Sequence, residues 1–263
     1  MKLLKLLKLF KFLGIEFISS EDATFFRNIN PSFLLLNVLT EEQIKKVLPH
    51  LIFSESQLAQ DLLSIAFGSG NGQGFFVEFG ATNGINMSNS YILEKRLGWD
   101  GIVAEPSKTW HKELKKNRAC NISFDCVSSS TGKTVEFLEV KESNGIGPTL
   151  SSQKAFANNG DWASTKRMSN SIEYLVKTIS LNDLLGKYNA PEIIDLLSID
   201  TEGSEFSILQ KVDFEKYKFK LICVEHNYIK KNRKKINKLL TLKGYKKVFE
   251  QISKWDDWYI FNP

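Results

Sequence analysis

From Phe75 onward, short apolar runs alternate with segments of helical periodicity, and that rhythm restricts the fold more than any other feature of the chain. The apolar runs read as buried strands, and the spans between them repeat apolar residues at three- and four-residue spacing. Strands are predicted at 75–79, 101–105, 122–127, 194–199, 220–225, 245–250 and 257–261. Helices are predicted at 85–97, 107–117, 180–188, 204–211 and 230–243, with Gly244 stopping the last. Such alternation places mostly parallel strands in one sheet, with helices on both sides. The last two runs, "YKKVFEQ" and "DWYIF", are joined by a short connection, which predicts an antiparallel hairpin at one edge.

Upstream, residues 21–68 read as helical. Thr40 with Gln43 has the spacing of a capping box, followed by Ile44, Val47 and Leu48 on one face. Ser54 with Gln57 repeats the device ahead of Leu58, Leu62 and Ile65. "GSGNGQG" at 68–74 reads as a flexible joint, and 141–171 as a long polar loop. The first thirteen residues set Lys2, Lys5, Lys8 and Lys11 among leucines and phenylalanines. Lysines three apart step back about 60° each around a helix, leaving the remaining face apolar. This basic amphipathic stretch lies in an anionic membrane surface or packs on its own domain; both readings stand. It has neither the uninterrupted apolar core of a signal peptide nor the length of a bilayer span. A net charge of +5 suits an acidic partner or a lysine-rich solvated surface, and no nucleic-acid-binding motif is present. Cys120, Cys126 and Cys223, odd in number and irregularly spaced, read as buried thiols of a reducing compartment.

The strand tips carry the chemistry. In open α/β sheets ligands bind at the carboxyl ends of the strands. "FFVEFGATNG" ends the first strand with Glu78, Gly80 and Gly84, glycines that let a ligand reach main-chain N–H groups. The spacing is neither that of a dinucleotide-binding turn nor that of a P-loop. The second strand ends in Glu105, 25 positions after Gly80, where a carboxylate can accept both ribose hydroxyls. Asp125 and Cys126 follow the third, Asp200, Glu202 and Glu205 the fourth, and Glu225, His226 and Asn227 the fifth. Asp200, Glu202, Glu225 and His226 also form an oxygen-rich set with one imidazole that suits a divalent cation; spacing alone does not bring them together, and no metal is assigned.

Taken together, "FFVEFGATNG", "SNSYILEKRLGWDGIVAEPS", "VKTISLNDLL", "IDLLSIDTEGSEFSIL" and "VEHNY" resemble the FkbM family of methyltransferases, in order and at suitable distances. "SESQLAQDLL" resembles the lead-in found among its members. The resemblance covers roughly 54–261, which divides the chain into a basic helical extension, 1–53, and a methyltransferase domain, 54–263. It implies an α/β fold of the class I methyltransferase, Rossmann-like type, with seven strands, and methyl transfer from S-adenosylmethionine, usually to oxygen. Carried over, Glu78, Gly80, Asn83 and Gly84 bind the methionine end and ribose approach, Glu105 the ribose, and Asp125 with Cys126 the adenine; Ala81, Asn89, Pro106 and Asp200 are further expected cofactor contacts. Thr82-Asn83 stands where many members have an acid.

An alcohol acceptor must lose its proton as it attacks, and a carboxylate or imidazole can take it. His226 and Glu202 are the expected catalytic residues. Glu205, Glu225 and Asn227, with Trp162, Lys166 and Arg167 of the long loop, are expected to hold the acceptor. Lys154, Lys166 and Arg167 beside Trp162 suit a sugar ring bearing phosphate or carboxylate. The expected reaction is O-methylation of a sugar hydroxyl in a cell-surface polysaccharide or glycoconjugate. The location expected is cytoplasmic, with membrane association at the inner face through residues 1–13. The alternatives are a non-catalytic S-adenosylmethionine-fold binding module, or O-methylation of a non-sugar small molecule.

Overall fold

In the computed structural model, residues 31–69, 73–141 and 147–262 are described. The amphipathic stretch at 1–13 lies outside them. The chain opens with α1 (Pro31–Leu36), α2 (Glu41–Val47) and a 3₁₀ turn at Leu48–Phe53. At α2 the capping box forms: Gln43 N donates to Thr40 Oγ1, and Thr40 N to Gln43 Oε1. The second expected box does not form. Instead the buried Asp61 carboxylate accepts from Ser54 Oγ and Glu55 N, which folds that segment back on the helix. The helix, α3 (Gln60–Phe67), therefore starts six residues after Ser54, behind a left-handed Ala59.

Next come β1 (Phe75–Phe79), α4 (Tyr91–Leu97), β2 (Asp100–Ala104), α5 (His111–Asn117) and β3 (Asn121–Ser123). They are followed by β4 (Cys126–Ser128), β5 (Thr134–Val140), β6 (Ser152–Gln153), α6 (Ser164–Ser169), β7 (Ser171–Ser180) and α7 (Leu181–Lys187). The chain ends with β8 (Ile193–Ile199), α8 (Glu205–Leu209), β9 (Lys218–Glu225), α9 (Lys230–Leu242), β10 (Tyr245–Val248) and β11 (Asp256–Phe261).

Seven strands form a mixed sheet in the order β10-β11-β9-β8-β1-β2-β3. The five from β9 to β3 are parallel; β11 runs antiparallel to both β9 and β10, as the predicted edge hairpin requires. Side chains alternate across each strand, so β1 sends Val77 and Phe79 to one face and Phe76 to the other. Leu184 of α7, Ile208 of α8 and Ile236 of α9 cover the first face. Leu35, Val47, Leu62, Leu93 and Leu114, from α1 to α5, cover the second, so residues 31–53 pack on the same core as the rest. The glycines flanking "GSGNGQG" are packing positions: a Cβ on Gly74 would lie 2.0 Å from the Trp99 ring, and one on Gly68 2.4 Å from it.

A second sheet, ordered β4-β7-β5-β6, was not visible in the pattern. The expected strand 122–127 is two strands: Ser123 ends the third strand of the main sheet, and Cys126 opens pairing with Thr178 in the other. The expected loop at 141–171 contains β6 and α6. The expected helix from 85 begins only at Tyr91, because the buried Glu78 carboxylate gathers Ser88 Oγ, Asn89 N and Ser90 Oγ and holds that stretch as a loop.

Glu78 has an equally buried partner in Arg118, 3.6 Å away. The guanidinium also binds Glu94 Oε2 at 2.5 Å, Ser90 Oγ and the Gly84 carbonyl. Removing one partner of a buried ion pair strands the other's charge. Arg118→Met is expected to lower the unfolding free energy by roughly 3–5 kcal/mol, read from urea denaturation; an unchanged midpoint would show that Glu78 does not depend on it.

Candidate active site

The carboxyl ends of β1, β2, β8 and β9 open into one crevice of about 350 Å³, walled on the far side by the second sheet and its connections. Phe79, Gly80 and Thr82 come from the β1 tip, Ala104, Glu105 and Pro106 from β2. Asp200, Thr201, Glu202 and Ser204 follow β8, Glu225 and Asn227 end β9, and Trp255 with Asp256 approach from the start of β11. Cys126, Val127, Phe137, Gln153 and the stretch 148–151 form the opposite wall, with Trp162 at the rim.

The glycine turn works differently from the expectation. Gly80 has φ +76°, and a Cβ there would lie 2.4 Å from the Asp200 carbonyl oxygen. Gly84 has φ +83°, and a Cβ there would meet Arg118 Cγ and Leu114 Cδ1, each at 2.7 Å. The main-chain N–H groups of Gly80 and Ala81 donate to the Ala104 carbonyl, and that of Thr82 to Glu105 Oε2 at 2.8 Å. What comes close to the backbone at Gly80 is the neighbouring strand tip, and its approach sets Asp200 beside the turn.

Glu105 lines the crevice beside this turn. Its two oxygens accept from Thr82 N and Ser107 N, leaving capacity for further donors. Burial pushes its pKa up to about 7 against those two hydrogen bonds. On the floor, carboxylate oxygens of Asp200, Glu202 and Glu225 lie within 4.8 Å of one another. Burial, then the charge of Asp256, raises Asp200 to about 7. Burial and the neighbouring Asp200 charge push both Glu202 and Glu225 well above the ordinary carboxylate range. Burial likewise lifts Asp256 to about 7, although Gln60 Nε2 donates to it at 2.8 Å. Glu202 takes a backbone φ of +57°, and its Oε2 accepts from Arg167 Nη1 at 2.8 Å and Asn227 Nδ2 at 3.2 Å. Asn227, also left-handed, donates to Glu225 Oε2 at 2.7 Å.

Of the residues expected at the site, Gly80, Asn89, Glu105, Pro106, Cys126, Trp162, Asp200, Glu202, Glu225 and Asn227 line the crevice. Others stand behind it. Glu78 is spent on the 88–90 loop and Arg118. Ala81 is buried; Asn83 Oδ1 accepts from Ile85 N and Asn86 N, closing the turn with Gly84. Asp125 points instead towards Lys187, 3.8 Å away. Glu205 Oε1 collects Thr201 N, Thr201 Oγ1 and Gly203 N, fixing the turn that carries Glu202. Arg167 is fully buried, and its ion pairs are with Glu202 and Asp161. Lys166 Nζ stands 5.9 Å from the Trp162 ring centroid, outside the crevice lining.

His226 also lies outside the lining. Its Nδ1 accepts from Tyr228 N at 2.9 Å, and its buried Nε2 is 3.8 Å from Asp257 Oδ1. Burial lowers its pKa. The backbone N–H groups of His226 and Asn227 both donate to the Trp255 carbonyl, and the left-handed turn at Asn227 and Tyr228 sends Asn227 to the floor and leaves the imidazole behind it. The sequence reading missed Gln57, Gln60, Gln153, Trp255 and Asp256. "SESQLAQDLL" and the paired acids of "KWDDWYIF" were the only signals for four of them, and Gln153 had none.

Strand tips that meet in one acid-floored crevice, beside a wall of Pro106, Val127 and Phe137, define a ligand-binding α/β site. The methyltransferase FkbM domain matches residues 78–257, most of the described chain, and the protein belongs to that family. A crystal structure of methyltransferase FkbM from Methylobacillus flagellatus KT is similar at 12% identity and a TM-score of 0.45, over 91% of this chain and 60% of that one. The present chain thus spans about three-fifths of its length. No curated protein matches.

Acids with raised pKa values bind more protons folded than unfolded, so stability falls as pH rises through the folded pKa. The histidines with lowered values, His50, His111 and His226, are still about half protonated in the unfolded state at pH 6.5; they oppose this fall there and drop out about one unit higher. Glu105, Asp200 and Asp256, near 7, then dominate. The ligand-free chain is expected to lose thermal stability from pH 6.5 to 8 in differential scanning fluorimetry; a melting temperature that rises across this interval would contradict the acid floor.

Proposed function

We propose that the protein is an S-adenosylmethionine-dependent O-methyltransferase whose acceptor is a sugar hydroxyl of a polysaccharide or glycoconjugate. The observation that carries the reading is Glu105, at the β2 tip, sharing one crevice with Asp200, Glu202 and Glu225 at the β8 and β9 tips, with Pro106, Val127 and Phe137 as apolar lining. The strand order and parallel sense of the main sheet agree with a Rossmann-like methyltransferase arrangement.

The side chains present suit that cofactor. Glu105 retains acceptor capacity for a ribose diol. Pro106, Cys126, Val127 and Phe137 would cover a flat base. The floor carboxylates would hold an ammonium, and Asn89 Oδ1, buried without a partner, would accept one of its hydrogens. When bound, S-adenosylmethionine supplies a methyl group on a sulfonium that leaves as a neutral thioether.

The chain's own part is to orient the acceptor and remove its proton. With His226 outside the crevice, Glu202 takes this role. Its Oε2 is held by Arg167 and Asn227, while Oε1 accepts no hydrogen bond from the described residues. The acceptor hydroxyl delivers its proton to Oε1 as the new oxygen–carbon bond forms. A carboxylate whose pKa is raised is a stronger base than an ordinary one, so turnover should rise as the pH climbs through the raised pKa of Glu202.

Glu105→Ala is expected to weaken binding of S-adenosylhomocysteine by about 1–3 kcal/mol in isothermal titration calorimetry. Unchanged affinity would remove Glu105 from the cofactor site. Glu202→Gln should cut methyl transfer from radiolabelled cofactor by about 10²–10⁴-fold while S-adenosylhomocysteine affinity stays within a few-fold. Full activity of that variant would assign the proton to another group, and binding without turnover by the parent chain across a broad acceptor panel would favour a non-catalytic module.

A further inference from the structure

The charge of the crevice lining is one-sided. Glu105, Asp200, Glu202, Glu225 and Asp256 all contribute to it, and no lysine, arginine or histidine does among the described residues. Only one of the five, Glu202, has a cationic partner among those residues. The cations of the neighbouring loop, which the sequence pattern offered as anion ligands, are engaged elsewhere. Arg167 lies behind Glu202 and is saturated by it, by Asp161 and by the Ala157 carbonyl. Lys154 pairs with Glu136 and Glu173 on the outer face of the second sheet. Lys166 stands over Trp162 outside the lining.

Two indole rings accompany these acids. Trp162 is 64% exposed at the rim, and Trp255 is half-buried next to Asp256. Aromatic faces attract cations and stack on the apolar faces of sugar rings. Carboxylates accept hydrogen bonds from hydroxyls and from ammonium groups. An anionic acceptor brought against Glu202, Glu225 and Asp256 would meet like charges, offset only by the Arg167 guanidinium behind Glu202.

From this we infer that the acceptor is a hydroxylated molecule without negative charge, and that a protonated amine on it is favoured over an uncharged group. An amino sugar is the simplest compound of this description. The inference rests on the methyltransferase reading for the word acceptor, and on the lining alone for the charge preference.

The test uses the full chain and three methyl glycosides of one ring size: glucosaminide, glucoside and glucuronide. Binding is followed by tryptophan fluorescence, with and without S-adenosylhomocysteine, after calorimetry has established whether the latter binds. The glucosaminide is expected to bind at least about tenfold more tightly than the glucuronide, with the glucoside between them. Glu225→Gln, which leaves the fold of β9 unaltered in size, should narrow that ratio several-fold. Trp162→Ala should weaken all three sugars and leave their ranking in place. Absence of glucosaminide binding, or glucuronide binding of equal strength, overturns the inference. Failure of S-adenosylhomocysteine to bind, with the sugar ranking intact, would overturn the methyltransferase reading and leave the charge preference standing.

Discussion

Carboxylates buried without cations are the interaction on which this structure turns. The chain buries two sets of acids, and they differ in what answers them. In the first set the answer is internal. Glu78 has Arg118 and the 88–90 loop, Asp195 has Lys220 and the Ser69 and Phe75 N–H groups, and Glu205 has the 201–203 turn. Glu139 has Ser107, Thr109 and Tyr174, and these donors hold it below the ordinary range despite burial. Glu78, Asp195 and Glu139 each tie two or more elements together, while Glu205 closes the turn before its own helix. In the second set, around the crevice, the answer is partial, and burial leaves the groups strained towards protonation. The first set builds the scaffold; the second waits for something positive or hydrogen-donating from outside.

The second sheet links the two. Ser107, which follows the β2 tip, uses its N–H on Glu105 and its hydroxyl on Glu139 of β5. Arg167 of α6 reaches Glu202 at the β8 tip. The second sheet and the adjoining α6 therefore meet the main sheet beside two carboxylates of the crevice lining, Glu105 and Glu202. A ligand that bound both would touch the joints between the sheets.

Much of the main sheet was legible in advance because its strands are buried on both faces and read as continuous apolar runs: β1 was placed to the residue, and β8 and β9 within two. The second sheet was not. In β7, Glu173, Leu175 and Lys177 alternate on the solvent side, and β4 is only three residues long. The tips were legible as polar residues after apolar runs, which located Glu105, Asp200, Glu202 and Glu225. The pattern did not show which polar tip residues turn inward. Glu78 and Glu105 look alike in the sequence, each an acid near the end of an apolar run. They differ because Arg118, contributed by the end of α5, lies beside one and not the other. His226 is misleading for a related reason. The backbone turns left-handed at Asn227 and Tyr228, which brings Asn227 to the floor and leaves the imidazole behind the wall.

The unanswered acids also explain why such a site can persist in a marginally stable chain. Natural domains retain only about 5–15 kcal/mol of net stability, so a cluster of charged, desolvated carboxylates is a substantial cost to the ligand-free protein. Protonation lessens that cost, and a bound cation removes it at the same location, so ligand binding and folding draw on one set of interactions. Replacing the floor acids with neutral isosteres would relieve the repulsion and stabilise the empty crevice, yet it would also remove the attraction that recommends the site to a cationic ligand. The trade between stability and activity is then local, confined to the tips of four strands, and the ion pairs of the scaffold can be tight because they take no part in it.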